Sequence, residues 1–211
     1  FPTRRSSDLA ERIRDGLSCS CEIMRLDCYY FDQGGKPFEE RTKVNYDSPE
    51  IFDFDEMLED IRLLLDGKPV TRKGYNYAEH RRDDSEELMY PPEVLIIEGI
   101  HVFYDDRICD VMNLKLFIKV DSDICLLRRI ARDMNERGRS LESISEQYKA
   151  TVKPMREKYI DKYIDKADVV VMRGGMNEQA LKTTISYLKS CVKEQRPAES
   201  EKNESDGNDS E

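Results

Sequence analysis

The chain has 211 residues and a formal net charge of −10, with its C-terminal end from about Glu194 onward especially acidic. This length predicts one domain, and the acidity argues against a protein that binds duplex nucleic acid, which would normally show a basic face. No apolar run approaches the roughly 20 residues that cross a bilayer, and no secretory signal is visible, so we expect a cytoplasmic protein that does not bind membranes.

Both ends of the chain are expected to lie outside the folded domain, which we place at residues 9–193. Residues 1–8 have neither helical nor strand periodicity and resemble translated adapter sequence, so we predict a non-native or disordered start. Residues 194–211 are acidic, polar and serine-rich, a composition typical of disordered tails. The domain should begin with an amphipathic helix over Leu9–Leu17 that has Asp8 as its N-cap.

Two carboxylates follow at the ends of predicted elements. A strand is predicted over Cys21–Leu26, and it ends at Asp27. After a polar loop, Ser48-Pro49-Glu50 has the cap residue, proline and acid that are typical of a helix start. Asp47 lies just before this helix, which ends at Gly67.

The segment Lys68–Tyr90 is polar and contains Tyr75, Tyr77 and the group His80-Arg81-Arg82. We expect a short hairpin or a long loop that projects from the sheet. Loops of this length are uncommon unless they serve a function.

The stretch Val94–Ile97 is apolar without alternation, which predicts a strand buried on both faces, as in a parallel sheet covered by helices. It stops at Glu98 and Gly99. Ligands of open α/β sheets bind beyond the carboxyl ends of the strands, so Glu98 is a candidate metal ligand. The alternative is a buried strand whose last residue has reached solvent.

An arginine-rich segment follows. Residues 123–136 predict a helix with Ile124, Leu127, Ile130 and Met134 on its inner side, and 141–158 a second helical stretch interrupted by Pro154. Five arginines fall within twelve residues, at Arg128, Arg129, Arg132, Arg137 and Arg139. In an acidic protein this cluster indicates an anion site. The alternative is a solvated, salt-bridged helix face.

The remaining elements complete an alternating pattern. Lys115–Val120 and Ala167–Met172 are predicted strands, and Asn177–Val192 is a closing helix. Alternation of strands and helices predicts an α/β fold with a mostly parallel sheet flanked by helices.

An ordered set of motifs resembles the uridine kinase/phosphoribulokinase family of P-loop kinases. The pieces are Leu26-Asp27-Cys28-Tyr29-Tyr30, Asn45-Tyr46-Asp47-Ser48-Pro49, Gly74-Tyr75-Asn76-Tyr77-Ala78-Glu79-His80, Ile97-Glu98-Gly99-Ile100, Arg128-Arg129-Ile130-Ala131-Arg132-Asp133, Glu136-Arg137-Gly138-Arg139, Gln147-Tyr148, Val152-Lys153-Pro154 and Ala167-Asp168-Val169. The resemblance runs from about Cys21 to Val192. It implies a P-loop kinase-like fold with a helical lid at about 123–158 and a small hairpin insertion.

The resemblance also implies roles for single residues in phosphorylating the 5′-hydroxyl of uridine or cytidine with ATP and Mg²⁺. Asp27 would take the hydroxyl proton, and Glu98 would orient Mg²⁺. The ribose would be held by Asp47, Arg129 and Gln147, and the pyrimidine read by Tyr75, His80 and Arg139, with Tyr30 beside it or simply packing. Arg132 and Arg137 would clamp the ATP phosphates. The expected partners are the nucleoside and ATP. Whether the chain forms a homo-oligomer is left open by the sequence.

The match fails at one motif. The family's glycine-rich loop GxxxxGK[ST] should precede the first helix, and no such motif occurs in the 211 residues. We therefore expect a chain that lacks the first strand of the sheet and that is inactive as given, because that loop cradles the ATP phosphates. Two alternatives stay open, a nucleoside-binding or regulatory module without catalysis and a sister kinase of another small hydroxyl substrate, such as pantothenate or ribulose 5-phosphate.

Overall fold

The computed structural model describes residues 6–195, and the side chains of residues 9–194. Our predictions for 1–5 and 196–211 lie outside the described residues. Residues 6–8, which we expected outside the fold, belong to the first helix, and 194–195 belong to the last one.

The helices and strands follow the predicted order. The helices are α1 Ser6–Gly16, α2 Phe38–Arg41, α3 Phe54–Leu65, α4 Asp106–Asp110, α5 Ser122–Asn135, α6 Leu141–Gln147, α7 Lys153–Lys158 and α8 Glu178–Gln195, with a π-helical turn at Tyr148–Val152 between α6 and α7. The strands are β1 Cys21–Arg25, β2 Val70–Asn76, β3 Arg81–Met89, β4 Val94–Glu98, β5 Leu116–Lys119 and β6 Val169–Met172. In the described part of the chain, no helix is long and apolar enough to cross a membrane.

The start of α3 differs from the prediction. Ser48 caps only a short 3₁₀ turn at Pro49–Ile51, and α3 begins five residues later with Asp53 as its N-cap. The Asp53 carboxylate accepts a hydrogen bond from the Glu56 backbone N–H at 2.9 Å. Ser48 and Asp53 are both residue types that cap a helix by accepting a hydrogen bond from a free backbone N–H. The sequence therefore offered two possible starts for α3.

The strands form three pairs, not the one mostly parallel sheet that we predicted. Within residues 6–195, β1 pairs with β4 and β5 pairs with β6, both in parallel, and β2 pairs with β3 in an antiparallel hairpin. The hairpin confirms the prediction for Lys68–Tyr90. The parallel pairing is as predicted, but the two parallel pairs are not hydrogen-bonded to each other in the described residues.

The burial of β4 is also less than we predicted. All five of its residues are partly exposed. Ile96 packs against the small cluster formed by α1 and α8, while Leu95 and Ile97 pack against the main core. Both faces of β4 are thus covered, and the residual exposure is consistent with its having one hydrogen-bonded neighbour in the described residues, β1.

The helix α5 faces the opposite way from our prediction. Leu127 is 59% exposed and Met134 is 47% exposed, whereas Asp133 is fully buried. On this side of the molecule the buried Asp133 is surrounded by arginine side chains and not by apolar ones. Four arginines lie within ion-pair distance of its carboxylate. The charged face of α5 is therefore its inner face.

Candidate active site

Asp27 lies in a 3₁₀ turn, Leu26–Tyr29, that follows β1 directly. Its Oδ2 accepts a hydrogen bond of 2.5 Å from the hydroxyl of Tyr77, at the tip of the hairpin. Burial raises the pKa of Asp27, opposed by that hydrogen bond and by the charges of Arg137 and Arg132. The carboxylate thus faces two arginines of the arginine-rich segment and has the perturbed pKa that is common at functional sites.

Glu98, the last residue of β4, lies at the same end of the β1–β4 pair as Asp27. It is the register partner of Arg25, the last residue of β1, and Arg25 Nε lies 3.5 Å from Glu98 Oε1. The turn after β4 needs Gly99, because a Cβ at this position would lie 2.5 Å from Leu26 Cβ. Asp27 and Glu98 therefore both lie at the carboxyl end of the β1–β4 pair, where the sequence analysis expected them.

The carboxylates of Glu98 and Asp27 suit Mg²⁺ better than a metal that needs three or four protein ligands. The described residues contain no group of three or more side chains that could hold a metal ion together. Mg²⁺ keeps several waters and is bound through one or two carboxylates together with substrate phosphates. Glu98, with Asp27 at the same edge, fits that pattern.

A second group of polar side chains surrounds Asp47. The Thr151 hydroxyl donates to Asp47 Oδ2 at 2.8 Å, and Arg129 Nη1 lies 3.6 Å from Oδ1. Arg129 Nη2 also donates to Gln147 Oε1 at 3.1 Å, and Arg139 donates to the same oxygen. The three residues that the sequence assigned to ribose, Asp47, Arg129 and Gln147, therefore lie together.

Buried His101 holds the backbone at Asp47 in place. It is 0% exposed, and its two ring nitrogens lie 2.9 Å from the Asp47 carbonyl oxygen and 2.9 Å from the Tyr163 hydroxyl. Burial lowers the pKa of His101, opposed by the hydrogen bond to Asp47. A neutral imidazole therefore links the Asp47 loop to the segment that precedes β6.

Aromatic rings line the region between the hairpin and the Asp47 loop. His80 stacks on Tyr46 at 5.0 Å between ring centroids, and Tyr75 packs against Tyr30 at 4.6 Å. Tyr30 is itself buried and stacks on Phe52 at 4.3 Å. This favours the packing interpretation of Tyr30. Burial lowers the pKa of His80, as do the charges of Arg137 and two other arginines, so the ring is neutral at physiological pH.

Asp133 is the common counterion of the arginine cluster. Arg132 lies 2.6 Å from its carboxylate, and Arg129, Arg137 and Arg139 each lie 3.6 Å away. Burial by itself would raise the pKa of Asp133, but the hydrogen bond from Arg132 and the surrounding arginine charges outweigh it and hold that pKa below its usual range. One carboxylate thereby gathers four guanidinium groups at one place.

The sequence analysis gave no role to several residues of this site. These residues are Arg25, Tyr46, Tyr77, His101 and Thr151. Tyr46 and Tyr77 lie inside motifs that the sequence analysis quoted, so their position was a usable signal. The sequence contained no such signal for Thr151 and His101, because their contacts with Asp47 join residues far apart in the chain.

Comparison with known proteins is consistent with this geometry. Residues 19–180 match the model of the Phosphoribulokinase / Uridine kinase family. The chain is 42% identical over 171 residues to a uridine kinase of Ligilactobacillus salivarius, covering 81% of this chain and 80% of that protein. It is 44% identical over 174 residues to a uridine kinase of Streptococcus gordonii, covering 82% and 83%.

The fold is also similar to that of a solved family member. The phosphoribulokinase from Rhodobacter spheroides superposes with a TM-score of 0.62 at 12% identity, covering 82% of this chain and 67% of that one. At this identity the likeness concerns the fold alone. With the family match over most of the chain and relatives above 40% identity, the chain belongs to the phosphoribulokinase/uridine kinase family of α/β P-loop kinase-like proteins.

Proposed function

We propose that this protein is an ATP-dependent kinase that phosphorylates the 5′-hydroxyl of a pyrimidine ribonucleoside, converting uridine or cytidine to UMP or CMP in pyrimidine salvage. One observation carries the proposal: the Tyr77 side chain contacts both the Asp27 carboxylate, through its hydroxyl, and the Arg137 guanidinium, through its ring. Phosphoryl transfer requires an oriented hydroxyl and positive charge around the transferred group, and little covalent chemistry from the protein. Relatives named uridine kinases support this substrate.

Asp27 acts as the general base in this proposal. Its carboxylate accepts the proton of the 5′-hydroxyl while the hydroxyl oxygen attacks the γ-phosphorus and the bond from that phosphorus to the β,γ-bridging oxygen breaks. A base is most effective when its pKa lies near the working pH. The raised pKa of Asp27, caused by burial, moves the carboxylate in that direction.

The nucleoside is held on the acceptor side by two groups. Asp47 accepts hydrogen bonds from the vicinal ribose hydroxyls, and Arg129 and Gln147 hold its surroundings in place. A carboxylate that accepts from both hydroxyls favours ribose over deoxyribose. Tyr75, His80 and Arg139 contact the pyrimidine, the aromatic ring by stacking and His80 and Arg139 by hydrogen bonding.

The segment 123–158 is the proposed lid on the phosphate side. Arg132 and Arg137 bind the phosphates and neutralise the charge that moves to the leaving oxygen. Glu98 would hold Mg²⁺, and bound ATP with that ion would supply the phosphoryl group. Asp133 keeps the arginines together in the cleft.

Phosphate transfer to uridine tests the proposal. With labelled ATP, we expect UMP from a version that carries a GxxxxGK[ST] loop ahead of Ser6, and much weaker transfer from the 211 residues alone, which contain no such loop. Asp27→Asn should lower the rate of the loop-bearing version by about 10²–10⁴-fold. Asp165→Asn, at an exposed aspartate, is the matched control. Absence of transfer to every nucleoside, with a folded loop-bearing protein, contradicts the proposal.

The group of side chains around Asp47 would serve equally in a second candidate, a nucleoside-binding or regulatory module without catalysis. This alternative predicts that uridine binds in calorimetry with an affinity that ATP does not change. A sister kinase of another hydroxyl substrate is distinguished by His80→Ala. This variant should reduce selectivity for uridine if the ring reads the pyrimidine, and should have little effect otherwise.

A further inference from the structure

Tyr77 connects three parts of the site that come from different segments of the chain. Its hydroxyl donates to Asp27 Oδ2 at 2.5 Å. The Arg137 guanidinium lies over its ring, 5.1 Å from the centroid, and the ring of Tyr75 packs against it edge-on at 5.2 Å. The hairpin tip, the turn after β1 and the arginine-rich segment therefore meet at this one side chain.

The hydroxyl of Tyr77 occupies one of the acceptor sites on Asp27 Oδ2. Both oxygens of a carboxylate accept hydrogen bonds, but only the one that faces the substrate can accept its proton. Burial and the neighbouring Asp27 raise the pKa of Tyr77, so the phenol stays protonated and acts as a donor. A nucleoside 5′-hydroxyl that approaches Asp27 Oδ2 must compete with it.

We propose that Tyr77 is a positioning residue that holds Asp27 and Arg137 together across the cleft and is displaced from Asp27 by the substrate hydroxyl. The proposal rests on the proposed function and deepens it by adding a residue to the same site. Tyr77 belongs to the turn between β2 and β3 and is 46% exposed, so it can swing away without disturbing the core. Its cation–π contact with Arg137 breaks in the same movement.

Calorimetry with two nucleosides tests the competition. In the wild-type chain, uridine exchanges one hydrogen bond to Asp27 for another, so it should bind only slightly better than 5′-deoxyuridine, which lacks the hydroxyl. In Tyr77→Phe the oxygen is open, and the ratio of the two dissociation constants should rise about tenfold, since a hydrogen bond to a charged group contributes that much or more. Tyr187→Phe, at an exposed tyrosine on α8, should leave the ratio unchanged. An unchanged ratio in Tyr77→Phe overturns the proposal.

A second measurement needs no ligand. The ¹³C carboxyl signal of Asp27, assigned with Asp27→Asn, can be titrated in both variants. Loss of the Tyr77 hydroxyl should move the midpoint of the Asp27 titration upward by about one pH unit, and a midpoint that does not move contradicts the contact. If wild type binds no nucleoside, the proposed function fails, while this titration still decides whether Tyr77 positions Asp27.

Discussion

Replacing Asp133 by asparagine should cost about 3 kcal/mol of unfolding free energy. The carboxylate is 0% exposed and lies within 4 Å of Arg129, Arg132, Arg137 and Arg139. Removing one partner of a buried ion pair typically costs 3–5 kcal/mol. The arginines are 19–36% exposed, so water screens part of their mutual repulsion, and the lower end of that range applies.

For a domain of this size, about 3 kcal/mol corresponds to a Tm lower by about 6–12 °C. Thermal and urea unfolding at pH 7 would measure the loss, with Asp165→Asn as the exposed control. Because the arginines hold the pKa of Asp133 below its usual range, its contribution is present above the pKa of an unfolded aspartate, about 3.9. It is lost as the pH falls through the lower native-state pKa, so the difference between the two proteins should shrink in strong acid. A loss below about 0.5 kcal/mol at pH 7, the usual range for a surface substitution, would show that the four arginines do not depend on Asp133.

Three further predictions follow from buried contacts. His101→Phe leaves the Tyr163 hydroxyl and the Asp47 carbonyl unpaired and should cost about 2–4 kcal/mol in urea unfolding. The wild-type pKa of His101 is lowered, so wild type should lose stability below the unfolded-state pKa of about 6.5, and the variant should lose less. Gly99→Ala should cost about 3 kcal/mol, since its Cβ would strike Leu26, while Gly35→Ala, with no heavy atom within 4 Å of the added Cβ, should be neutral in the same assay. Thr151→Val removes the hydrogen bond to Asp47 and should weaken uridine binding about fivefold in calorimetry, with a smaller effect on 2′-deoxyuridine; equal effects on both nucleosides would contradict the ribose role of Asp47.

Features set by local chemistry were predictable from the sequence. The strand that ends at Glu98 and the hairpin that carries Tyr75 and His80 depend on residues close together in the chain. Backbone propensity and short-range sterics act over such distances, so a pattern of residue types is enough to place them. The carboxylates at strand ends were placed correctly for this reason.

The orientation of α5 was not predictable in the same way. Its apolar residues recur at helical spacing, which normally indicates the inner face, yet Leu127 and Met134 face outward and Asp133 faces inward. Burying Asp133 is favourable because four arginines within six residues of it surround its carboxylate, with Arg132 closest at 2.6 Å. Apolar periodicity takes no account of such ion pairs, so helical periodicity alone gave the wrong face.

The charge balance of the arginine cluster explains how an acidic protein can offer a site for a polyphosphate. The whole chain carries −10, but at Asp133 a single buried carboxylate faces four guanidinium groups. Asp133, with Asp47 beside Arg129, positions the four arginines without neutralising all of them, so the cluster keeps an excess of positive charge. An anion that carries several charges compensates this excess better than a single carboxylate can, and the acidic surface elsewhere does not weaken the attraction because water screens charges more than about a Debye length away. In the proposed function, the affinity of the site for phosphates therefore comes from the local arrangement of the arginines and not from the net charge.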